Sequence, residues 1–246
     1  MATVPEKDTL SELMIVPVPT TETPIGDGIT IPAGITDLAS FRQWTYASNY
    51  PERGRITYLH GLIRVDLSME QLYSHNQVKH EIGVVLGAFV KTASLGRYMP
   101  DGMRISNEEA DLSTEPDGMF ATYATLREGR LRRIPGRHPG VIEVEGTPDM
   151  VLEVVSDSSV TKDLRELPEA YRRAGVPEFW RIDARAPEVR FEVLRLTESG
   201  YIQAEEADGW WRSVVFGRSF RLTQQGDPLG EPLFTLEARE APAAPG

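Results

Sequence analysis

The stretch from Pro148 to Asp183 constrains the fold more than any other part of this chain. Met150-Val151-Leu152-Glu153-Val154-Val155 is a short apolar run of strand length, rich in β-branched residues, and reads as a buried strand. Helical character follows from Thr161 to Ala174, and Gly175 suits the position just past a helix end. Pro168 inside that stretch predicts a late start or a kink. Phe179-Trp180-Arg181-Ile182-Asp183 is the next strand, and a helical connection of this length joins parallel neighbours. Alternation puts Val151, Glu153 and Val155 on one face and Met150, Leu152 and Val154 on the other. Glu153 is the residue out of place. A lone ionised carboxylate in an apolar interior costs several kcal/mol, so it takes a proton, pairs with a cationic side chain or binds a metal ion.

The rest of the chain supplies partners for these strands. Residues 1–35 are rich in Pro, Thr and Gly and read as an arm that packs on the domain or on a neighbouring subunit, which makes a homodimer an expectation. Asp37 can cap a helix from Leu38 to about Ala47, and Arg55–Asp66 reads as a hairpin turning at His60-Gly61. From about Glu70 to Lys91 the apolar residues Val78, Ile82, Val85, Leu86 and Phe89 share one helical face, with His75 inside it, Glu81 at its edge and His80 turned away. Short strands are expected at 96–99, 103–105, 115–121, 189–196, 200–204, 214–216 and 219–222, with a basic loop at 127–138. The domain is expected to span 36–238, followed by a disordered tail at 239–246.

Composition removes several function classes. The chain of 246 residues has no cysteine, which excludes disulfides, thiolate metal sites and a cysteine nucleophile. It has no long apolar run of membrane-spanning type, and MATVPEKDTL does not read as a secretory signal, so a cytoplasmic protein is expected, with no membrane partner. The net charge of −11 opposes broad electrostatic adhesion to nucleic acid and restricts any such contact to local basic clusters.

A second carboxylate, Asp117, sits in the run Glu115-Pro116-Asp117-Gly118-Met119-Phe120. If that strand neighbours the one carrying Glu153, the two acids converge, and they cannot both stay ionised at close range without a cation. Oxygen-only ligation favours a hard divalent ion such as Mg²⁺, which can polarise a phosphate and activate water. Plainer roles compete at each position. Glu153 could pair with an Arg or Lys, Asp117 could be a turn residue, Lys162 a surface lysine and His75 a core histidine. Asp149 is a strand-start residue and a reserve ligand. Ser156, Ser158 and Ser159 lack the setting of a nucleophile and read as caps; Tyr171, Phe179 and Trp180 read as core.

PDMVLEVVSDSS, then Lys162-Asp163, Tyr171 and AGVPEFWRIDAR, closely resemble the Uma2 family, also called DUF820, within the PD-(D/E)XK or restriction-endonuclease-like superfamily. The resemblance runs from about Ile56 to about Leu222 through RITYLHGLIRVD, SHNQ and EPDGMFA, and residues 148–185 carry its most specific part. It implies an α/β fold with a restriction-endonuclease-like core, a mixed β-sheet flanked by helices. It also implies a hydrolase, a nuclease cutting phosphodiester bonds of nucleic acid (DNA ahead of RNA) with Mg²⁺ or Mn²⁺. Carried over residue by residue, Asp117 and Glu153 are metal ligands. The superfamily's lysine falls on Val155 and a frequent family alternative on Leu167, so Lys162 is the remaining candidate for the catalytic lysine. His75 matches a histidine near the start of the first core helix and would contact substrate or a water on the metal. The alternative is a catalytically degenerate member serving as a binding or assembly protein.

Overall fold

The computed structural model describes residues 13–26, 28–136 and 140–241. Its central sheet has six strands, in the order Gly200–Gln203, Arg190–Thr197, Glu178–Asp183, Met150–Val154, Gly118–Thr122 and Gly96–Pro100. Met150–Val154 runs parallel to Glu178–Asp183, as the crossover requires, and antiparallel to Gly118–Thr122. A seven-stranded sheet orders Leu13–Pro17, Leu62–Asp66, Arg55–Leu59, Leu112–Thr114, Arg104–Asn107, Val141–Gly146 and Leu131–Pro135. A four-stranded sheet follows, from Glu206–Ala207 to Pro232–Glu240. The fold is therefore α/β with mixed sheets, and among the described residues no helix is long and apolar enough to cross a membrane.

Strand alternation splits the central sheet into two apolar faces. Phe120, Met150, Leu152, Val154, Trp180 and Val193 pack on Val78, Ile82, Leu86 and Val90 of the helix Val78–Thr92 and on Phe216, Phe220 and Leu236. Met119, Val151, Phe179 and Leu194 face the other way, onto Leu167, Ala170 and Tyr171 of the helix Leu167–Arg173 and onto Leu59, Ile105 and Val144 of the larger sheet. Tyr171, Phe179 and Trp180 are core, as their apolar surroundings in the sequence suggest. A third cluster joins Ile29, Ile31 and Ile35 to Phe41 and Trp44 of the helix Leu38–Thr45 and to Ile56, Ile63 and Val65. Asp37 caps that helix through the Ser40 N–H at 2.8 Å.

Several expectations need correction. The segment 127–138 is no simple loop: the helix Tyr123–Glu128 ends at Gly129 and the strand Leu131–Pro135 follows, with 137–139 outside the described residues. That strand pairs only with Val141–Gly146 at the end of its sheet, so three of its five residues face solvent and no apolar alternation marks it. Residues 214–216 form a turn between Trp210–Ser213 and Arg218–Gly226. Of the expected tail, Arg239 and Glu240 lie in the strand Pro232–Glu240, held by its antiparallel ladder, while 242–246 lie outside the described residues. In the expected arm, 13–17 add a strand to the seven-stranded sheet, and 1–12 lie outside the described residues. The first core helix opens with a wide π-helical turn, Leu72–Gln77, and the second with another, Lys162–Glu166. Pro168 follows directly on that turn, as the second residue of the regular helix Leu167–Arg173.

Candidate active site

The register of the central sheet brings the two acids together. Met150 opposes Phe120, Val151 opposes Met119 and Leu152 opposes Gly118, so one further step sets Glu153 opposite Asp117. The ladder itself stops there. Asp117 precedes the strand, and its Oδ2 accepts the Val154 N–H at 2.8 Å, so a side-chain carboxylate takes the place of a backbone carbonyl. Gly118 leaves room beside it, because a Cβ there would run into the Tyr98 hydroxyl and that ring would have to shift.

Asp117 is buried among nitrogen donors. Arg55 Nη1 donates to Oδ1 at 2.8 Å, His75 Nε2 lies 3.5 Å from Oδ2 and Lys79 Nζ lies 3.8 Å from Oδ1. Burial pushes its carboxyl up, but the His75 hydrogen bond and the charges of Arg55, His75 and Lys79 outweigh it and hold the group well below the usual carboxylate range. Arg55 is shared further with Glu70 at 2.9 Å and Asp101 at 2.8 Å.

Glu153 has the opposite balance. It is 1% exposed, and its Oε1 accepts the Tyr171 hydroxyl. Burial pushes its carboxyl up to about 8; Lys162 works against this, and the Asp163 and Asp117 carboxylates add to it. Lys162 Nζ sits 2.6 Å from Asp163 Oδ1, and the Ser159 hydroxyl donates to Asp163 Oδ2. Lys162 is thus a largely buried partner of two acids rather than a solvated surface lysine. Burial also raises the Asp163 carboxyl, with Lys162 opposing.

Asp117, Glu153, Lys162 and His75 line one cleft of about 880 Å³ together with Arg55, Arg64 and Asp163. Asp149 does not join them. It lies at the other end of its strand, where Oδ2 accepts the Thr122 N–H at 2.7 Å and the Thr125 hydroxyl at 2.6 Å. The serines bond one another and Asp66 rather than capping the helix: Ser159 Oγ accepts the Ser156 N–H at 2.9 Å, and Ser158 donates to Asp66 at 2.8 Å. Sequence reasoning gave no site role to Arg55, Arg64, Asp163 or Tyr171. The signal for Arg64 was a charged residue between Ile63 and Val65 in a buried strand.

Among the described residues no cluster of three or more His, Asp or Glu is arranged to hold a metal ion. Mg²⁺ needs only one or two carboxylates, with waters completing an all-oxygen shell. Asp117 and Glu153 supply such a pair, on adjacent strands and lining the same cleft. The donor set therefore fits.

A mixed sheet holding paired acids at the end of its central strands, with a lysine and histidine in the same cleft, defines an α/β protein of the restriction-endonuclease-like type. The chain belongs to the Uma2 family, whose model, described as "Putative restriction endonuclease", matches residues 38–224. Among solved structures it is similar to "a putative nuclease belonging to DUF820" from Anabaena variabilis, with 22% identity and a TM-score of 0.53. That match covers 73% of this chain and 90% of the other. No curated protein matches.

Proposed function

We propose that the protein is a divalent-metal-dependent nuclease that hydrolyses phosphodiester bonds of nucleic acid in this cleft. The observation that carries the reading is the facing pair Asp117 and Glu153, with Lys162 beside Glu153. Asp117 and Glu153 would hold Mg²⁺ or Mn²⁺, which when bound polarises the phosphate and lowers the pKa of a water. Lys162 has the position to orient the attacking water or to stabilise charge that develops on the phosphate oxygens. His75, fixed against Asp117, would position substrate or water. Arg55 holds Asp117 ionised and the Val154 N–H aims it, leaving Glu153 as the acid that would give up a proton to hold the cation.

Val155 and Leu167, both fully buried, favour a second reading as a binding or assembly protein, since neither usual lysine is present. The place of Lys162 next to Glu153 favours the nuclease. The test is cleavage of single-stranded DNA, double-stranded DNA and RNA with Mg²⁺ or Mn²⁺, with Glu153→Gln alongside. Cleavage abolished by the substitution is the expected result; equal cleavage by both proteins removes the site assignment.

A further inference from the structure

The cleft holds three permanently charged cations, and they are not equivalent. Arg55 is committed to Asp117, Glu70 and Asp101, and Lys162 to Asp163 and Glu153. Among the described residues Arg64 has one side-chain partner: Nη2 lies 2.6 Å from Glu166 Oε1. Its Nε and Nη1 are buried and find no acceptor among the described residues. The strand explains why the side chain is there. Ile63 and Val65 point into the N-terminal core, so Arg64 between them faces the other way, into the cleft. Its cross-strand neighbour Thr57 lines the same wall.

Guanidinium N–H groups left unpaired in a protein wall are costly, and a charged N–H donor suits an anion with several acceptor oxygens. Seven acids line this cleft, and Arg64 is its cation with unpaired N–H groups among the described residues; His75 Nδ1 is also buried without a hydrogen bond. We infer that Arg64 is a phosphate-binding residue. Through one of these two unpaired N–H groups it takes a backbone phosphate of the nucleic acid and holds the strand across the cleft from Asp117 and Glu153. Glu166 holds the third nitrogen, Nη2. This assignment rests on the nuclease reading above and adds a positioning contact to it.

The test is fluorescence anisotropy of labelled single- and double-stranded DNA oligonucleotides with the full chain in EDTA, over a salt series, beside the cleavage assay. Arg64→Gln is expected to weaken binding about 10- to 100-fold, the loss typical of a charge-assisted contact. It should also reduce the slope of log affinity against log salt by about one. Arg64→Lys should keep the salt slope and recover part of the affinity. Glu166→Gln should bind as tightly as wild type or more tightly. Arg64→Gln binding within twofold of wild type overturns the inference. So does a Glu166→Gln loss equal to that of Arg64→Gln, which would make Arg64 only the partner of Glu166. Either result with wild-type cleavage intact sinks Arg64 alone, whereas a wild type that neither binds nor cuts any oligonucleotide sinks the nuclease reading and this inference with it.

Discussion

Without metal, Glu153 should make the protein less stable as pH rises. In the folded chain its carboxyl sits at about 8 against an ordinary value of 4.5, chiefly because it is buried. Between those values the folded state binds a proton that the unfolded chain has lost, so stability falls with increasing pH through that window. At about 1.4 kcal/mol per pH unit, the full window corresponds to roughly 4–5 kcal/mol. Asp117 has the opposite sign. Its folded value is depressed, so its contribution is present above its unfolded value and is lost only as pH falls below about 4. Asp163 is raised like Glu153 and adds a slope of the same sign, so the comparison must be with a variant. Urea unfolding in EDTA at pH 5, 6, 7 and 8 should show Glu153→Gln gaining on wild type by a few kcal/mol across the range. A difference between the two proteins that is flat with pH, or that changes in the opposite direction, would refute a protonated Glu153.

Two further perturbations separate site from scaffold. Lys162→Met leaves Glu153 and Asp163 without their cation; it should cost about 2–4 kcal/mol in urea unfolding at pH 7.5 and abolish cleavage. A change under about 0.5 kcal/mol would return Lys162 to the solvated surface. Glu178 is fully buried and accepts from Trp180 Nε1 at 2.6 Å, the Ser213 hydroxyl at 2.6 Å and the Val214 N–H at 3.0 Å. Glu178→Gln turns an amide against those donors. It should lower stability by about 2–3 kcal/mol while leaving activity per folded molecule unchanged, because Glu178 lies outside the cleft.

The parallel crossover was legible because both its strands are buried and apolar and the connection has helical length. The pairing of Asp117 with Glu153 was legible too, since each is an acid embedded in a short apolar run. The edge hairpin Leu131–Pro135 with Val141–Gly146 was hidden, because its outward residues are Arg132, Arg133 and Pro135 with exposed Val141 and Ile142. The strand Pro232–Glu240 was hidden by its polar second half. The partners of the acids were harder still. Arg55 and Arg64 come from a hairpin far from Asp117 and Glu153 in sequence, and only strand order across two sheets brings them to the cleft. Tyr171 reads as core from its neighbours, and it is core, yet its hydroxyl reaches Glu153.

Metal binding tests the pairing of the two acids most directly. Titrating Mn²⁺ into the metal-free chain at pH 7 by calorimetry, in buffers of differing ionisation enthalpy, reads affinity and proton release together. The expected result is binding that releases close to one proton, as Glu153 ionises, and that weakens at least about tenfold in Glu153→Gln. Equal affinity in the two proteins, or no binding to wild type, would contradict a metal site at Asp117 and Glu153.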